Sequence, residues 1–155
     1  MSDWSAKELA LAIAAGIACI TATGCGGVYD STVSGVVKLE NTIVPRGTVT
    51  FSPQGAGPTA FGQIQSDGRY QLRTGREEGL PPGQYTVTVV ANEPPASARS
   101  ADGGPAALGK PITPLWYSDP ANSGLSFAVA DGDNVIDLNL TLKPPAGWKP
   151  PPGRR

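Results

Sequence analysis

The feature that most constrains this chain is its punctuation: 20 glycines and 16 prolines are spread through 155 residues. Proline removes a backbone donor and fixes φ, and glycine weakens any helix it interrupts, so the chain has no room for long helices. Between the breaks, apolar and polar residues alternate with a period of two, which sorts successive side chains onto opposite faces of an extended strand. Gln84 to Val90 is the clearest case, with Tyr85, Val87 and Val89 on one face and Thr86 and Thr88 on the other. Val135 to Leu142 is a second, placing Ile136, Leu138, Leu140 and Leu142 inward and Asp137, Asn139 and Thr141 outward.

Further strands are expected at Thr32 to Leu39, Gly47 to Pro53, Ala60 to Gln65, Arg69 to Arg73 and Leu125 to Val129, each bounded by turn formers. The pattern predicts an all-β protein, a seven-stranded antiparallel β-sandwich, with an up-and-down barrel as the alternative closure. Its expected core is Val37, Leu39, Val49, Phe51, Ile64, Tyr70, Leu72, Tyr85, Val87, Val89, Leu125, Phe127, Val129, Ile136, Leu138 and Leu140. The length suits one domain with a core of its own. Two segments fall outside the alternation. Residues 91–115 form a long loop rich in alanine, proline and glycine, read as an insertion. Residues 143–155, KPPAGWKPPPGRR, read as a solvated, extended cationic tail.

The beginning of the chain has a different character. Leu9 to Ile20 is an uncharged apolar run, LALAIAAGIACI, short for a bilayer span and of the length of a signal-peptide core. Asp3 and Glu8 offset Lys7 ahead of it. The following Ala22-Thr23-Gly24-Cys25 resembles a bacterial lipobox, with Ala22 in place of the usual larger aliphatic residue. This reading divides the chain into a signal peptide (1–24), a lipidated tether (25–31), a sandwich (32–142) and the tail. The mature protein would then retain Cys25 as its single thiol, and acylation would attach it to the lipid bilayer. A Cys19–Cys25 disulfide or an uncleaved anchor helix are the competing arrangements.

With the strands in place, their connecting motifs resemble the transthyretin-like, carboxypeptidase-regulatory-like (prealbumin-like) β-sandwich domain of small bacterial lipoproteins. The resemblance rests on Val33-Ser34-Gly35-Val36-Val37-Lys38-Leu39, Val44 to Phe51, Ser66-Asp67-Gly68-Arg69-Tyr70-Gln71-Leu72, and Leu80-Pro81-Pro82-Gly83-Gln84-Tyr85-Thr86-Val87. Trp116 to Pro120, Ser123-Gly124-Leu125 and Asn134 to Leu142 complete it. It implies a prealbumin-like sandwich and an accessory or surface module. The wider fold's 5-hydroxyisourate hydrolases require histidines and a Tyr-Arg-Gly-Ser terminus. This chain has no histidine and ends Pro-Gly-Arg-Arg.

The chemistry-bearing residues point the same way. Without histidine the usual nucleophilic triads cannot be assembled, so no enzyme and no catalytic residue is expected. Glu77 and Glu78 are adjacent, and on an extended segment neighbouring side chains diverge. Asp131-Gly132-Asp133-Asn134 with Asp137, and Asp67-Gly68, read as turns rather than calcium ligands. No glycine-rich phosphate loop is present, so neither cofactor nor metal is expected. A formal charge of -1 gives no field for nucleic acid. Trp116, Tyr117 and Trp148 are the candidate contacts for an envelope protein or polysaccharide. The expected function is thus an exported, membrane-anchored binding or interaction module at the cell envelope. The alternative is a structural envelope spacer.

Overall fold

A computed structural model describes residues 28–95, 104 and 109–150. Cys25, the apolar run before it and the end of the tail lie outside the described residues. The chain folds as an all-β protein of two sheets around one core. Strands are β1 (Ser31–Leu39), β2 (Thr42–Ile43), β3 (Gly47–Pro53), β4 (Ala60–Ile64), β5 (Arg69–Gln71), β6 (Arg73–Thr74), β7 (Glu77–Glu78), β8 (Gly83–Val90), β9 (Leu125–Val129), β10 (Gly132–Val135) and β11 (Leu138–Leu140). A 3-10 turn at Leu115–Ser118 precedes β9.

Each of the seven expected strand regions contains strand, but the described residues form eleven segments. Two of them, Thr42–Ile43 and Glu77–Glu78, are two-residue additions, the expected Arg69 to Arg73 strand is broken at Leu72, and the last expected strand is broken at Ile136 and Asp137. The larger sheet runs β7-β6-β4-β3-β8-β9 and is antiparallel throughout. The smaller is centred on β1, with β10 and β11 along one edge and β5 and β2 along the other.

Here the expected all-antiparallel pairing is corrected, because β1 runs parallel to both β10 and β11. Alternation fixes which face a residue occupies but is blind to strand direction. Strands joined by a tight turn must be antiparallel, whereas β1 and β10 are separated by the whole intervening fold and are free to run the same way. The register is continuous from Ser31↔Gly132 to Leu39↔Leu140.

The break in that ladder explains Gly35. Tyr70 on β5 lies opposite Gly35 on β1, and its hydroxyl reaches across β1 to donate to the Ile136 carbonyl at 2.7 Å. A Cβ on residue 35 would stand 2.0 Å from that carbonyl oxygen and 3.2 Å from the Tyr70 ring. With the Ile136 carbonyl so engaged, the Val36 N–H donates instead to the Asp137 carboxylate at 2.9 Å. A side chain thus replaces one rung of the backbone ladder.

The core contains Val37, Val49, Phe51, Ile64, Tyr70, Leu72, Tyr85, Val87, Val89, Val129, Leu138 and Leu140 as expected, with Leu39, Leu125, Phe127 and Ile136 partly buried against it. It also includes Val33, Val44, Ala60, Leu80, Ala91, Trp116 and Tyr117. Leu142, expected inward, is 60% exposed. The sheet ends at Leu140, and the Leu142 N–H turns away to the Glu40 carboxylate at 2.8 Å. Thr88, expected to face solvent, is buried on a strand that packs against the 3-10 turn.

Burial sets an alkaline limit on this fold. Burial, and then the charge of Asp137, raises the Tyr70 pKa above its ordinary 10.0. The Tyr85 pKa is also raised, first by burial and then by Tyr29. A raised phenol pKa means that the unfolded chain gives up its protons first. The associated stability is complete below pH 10.0 and is lost as pH climbs through the folded values. Urea midpoints should therefore fall steeply above that pH, and less steeply in Tyr70→Phe. An equal fall in both would remove Tyr70 as the source.

Candidate functional site

The three aromatic residues singled out in the sequence come together in space. Pro114 leads into the 3-10 turn, which is closed by Tyr117 N–H to Pro114 O at 3.1 Å and Asp119 N–H to Trp116 O at 3.3 Å. That turn points Trp116 and Tyr117 into the protein, where they are 8% and 6% exposed. Both side chains therefore pack into the core. Their ring centroids are 5.8 Å apart, and the Tyr117 hydroxyl accepts the Thr141 N–H at 2.9 Å, tying the turn to the end of β11.

Trp148 is the member that keeps accessible surface. A turn from Pro145 to Trp148 carries Gly147 at φ 82°, a left-handed conformation suited to glycine, and closes with Trp148 N–H to Pro145 O at 3.2 Å. It brings the Trp148 ring edge-on to Trp116 at 5.1 Å and 70°. The described part of the tail is therefore folded back rather than free, because an indole leaves water more readily than the prolines around it.

Around the exposed side of Trp148 lies an open cleft lined by Leu115, Ser118, Asp119, Asn122 and Lys149. Leu115 is half exposed. Asp119 is already committed, since one carboxylate oxygen accepts the Ala121 N–H at 2.9 Å and the other the Asn122 amide. Asp119 is thereby a turn-forming residue. The cleft offers one indole, one aliphatic side chain and a lysine, a combination that can hold a flat, partly apolar group.

The other residues considered in the sequence take structural roles. The hairpin-turn reading of Asp131 to Asn134 is corrected, because Gly132 to Asn134 open β10, which pairs with β1 and not with β9. Gly132 adopts φ 86°, and Asn134 secures the corner between the two strands by donating to Ala130 O, Gly132 O and Thr32 O while accepting the Ala130 N–H. Asp133 accepts from the Thr32 hydroxyl at 2.6 Å, and Asp67 from the Arg69 N–H at 3.0 Å. Glu77 and Glu78 form β7, whose hairpin turns on Gly75, and Glu78 pairs with Arg73 at 2.9 Å. No group of three or more metal-ligating side chains occurs among the described residues.

The stem of the long loop continues β8. Glu93 N–H donates to Lys110 O at 2.8 Å and Ile112 N–H to Ala91 O at 2.8 Å, while the buried Thr113 hydroxyl accepts the Ala91 N–H. Residues 96–103 and 105–108 of the loop lie outside the described residues.

Among the described residues no helix is long and apolar enough to cross a membrane. No protein-family model, curated protein or solved structure matches this chain. The class is therefore defined by the structure alone: a protein with a two-sheet, all-β fold.

Proposed function

We propose that the protein is an exported lipoprotein, anchored at the cell envelope through acylated Cys25, whose prealbumin-like sandwich is a non-catalytic binding or interaction module. The observation that carries this reading is the apolar run Leu9–Ile20 followed at once by a small-residue segment ending in Cys25, placed just ahead of a folded body that starts at Ser31. Five residues separate Cys25 from β1. At roughly 3.5 Å per residue they hold the sandwich within about 20 Å of the acyl chains. Several acyl chains on one residue exceed what stable anchoring needs. Trp148 and its cleft are the contact surface assigned to this module.

The test is the intact mass of the mature protein from its native membrane fraction, beside a Cys25→Ala variant. A mass that begins at Cys25 and includes acyl chains, with maturation and membrane retention lost in the variant, is the expected result. A chain that keeps the residues before Cys25 and carries no lipid would overturn the proposal.

A further inference from the structure

A second surface, remote in sequence from Trp148, has a more definite chemistry. β4 and the β5–β6 segment lie side by side with Phe61 opposite Arg73, and the backbone of Gln65 bonds to that of Arg69. The inward residues Ala60, Gly62, Ile64, Tyr70 and Leu72 are buried, so Phe61, Gln63, Gln65, Gln71 and Arg73 all stand outward. These five residues, with Gly75, line one open cleft. Phe61 is 51% exposed, which leaves about half of an aromatic side chain accessible on an otherwise polar ribbon. Phe61 to Gln65 extends roughly 14 Å along the strand.

The charge of the ribbon is cancelled locally. Arg73 is held by Glu78 at 2.9 Å, so the guanidinium does not present an unbalanced field to an anion. The amides carry both donors and acceptors, and Gln63 already spends one donor on the Thr48 hydroxyl at 3.3 Å. One exposed ring beside three amides, with no net charge, complements a ligand that is apolar on its flat face, rich in hydroxyls at its edge and uncharged. We infer that this ribbon binds a neutral polysaccharide, stacking a sugar ring on Phe61 while Gln65 and Gln71 bond to its hydroxyls. The inference rests on the domain being a binding module, and it does not require the lipid anchor.

Affinity electrophoresis tests it, using the full chain in mild detergent and native gels containing hydroxyethylcellulose, laminarin or, as the charged comparison, polygalacturonate. At least one neutral polymer should retard the protein. Phe61→Ala should weaken that retardation about tenfold, in line with losing one buried aromatic contact. Phe61→Tyr should retain it. Gln71→Ala, a substitution on the surface, gives a second loss that does not depend on the fold of the Phe61 variant. Cys25→Ala should bind the polymer normally, which separates failure of the glycan site from failure of the anchor. Retardation by polygalacturonate alone, by no polymer, or by a neutral polymer with Phe61→Ala unaffected would overturn the inference.

Discussion

Phe51→Ala should cost about 3–5 kcal/mol of stability, the range for removing a buried phenylalanine. Phe51 has no exposed surface and lies on β3 in the middle of the larger sheet. Its ring centroid is 6.1 Å from Tyr85 and 6.5 Å from both Tyr70 and Phe127. The Tyr70 contact bridges the two sheets, since β5 belongs to the smaller one. Truncation would leave a void bordered by three aromatic rings, two of them held by their own hydroxyl bonds to Ile136 O and Pro81 O. Rings tethered at the far end cannot collapse into the space, which places the expected cost toward the upper part of that range. Urea unfolding would read it as a lower midpoint at unchanged slope. Phe127→Ala, on an edge strand and partly exposed, should cost less. Equal losses at the two positions would contradict this placement of the core.

Gly35→Ala is expected to be nearly as damaging although it adds only one methyl group. The added carbon would enter space already held by the Ile136 carbonyl, where the approach is 2.0 Å to oxygen and 2.6 Å to carbon. Backbone must move, and the Tyr70 hydroxyl bond to that carbonyl goes with it. Overpacking of this kind costs about 1–3 kcal/mol, and leaving the part-buried Ile136 carbonyl without its donor adds about 1 kcal/mol. The two losses share one cause, so Gly35→Ala combined with Tyr70→Phe should be less destabilising than the sum of the single changes. Full additivity in a double-mutant cycle would show that the glycine and the phenol act separately.

Gly35 also shows where sequence stops informing. Strand limits at Gly47–Pro53 and Leu125–Val129 agree to the residue with those read from alternation, because glycine, proline and apolar period all coincide there. Gly35 sits inside an equally good strand, but nothing in its neighbourhood names Ile136, a residue 101 positions away, as the atom that requires it. Val44 and Leu80 were invisible for a related reason. Each enters the core from a short non-periodic segment, Val44 by its N–H to Val37 O and Leu80 by its N–H to Ser31 O. Trp116 and Tyr117 were legible as a site and not as core, since their burial depends on a 3-10 turn folding them against β8. The ribbon around Phe61 was written in the sequence as ordinary alternation. Its character emerges only when β4 and β5–β6 are set side by side and their outward residues are read together.

The parallel register between β1 and the β10–β11 segment has a mechanical consequence. Tension applied between the chain before Ser31 and the chain after Leu140 pulls these two strands along their length in opposite directions. That geometry loads the rungs from Ser31↔Gly132 to Leu39↔Leu140 simultaneously, across roughly 30 Å of strand, instead of peeling them one by one. The Thr32–Asp133 and Val36–Asp137 bonds lie along the same seam and share the load. A hairpin at that place would unzip under modest force. Two parallel strands pulled in this way must shear, so this seam resists as a unit.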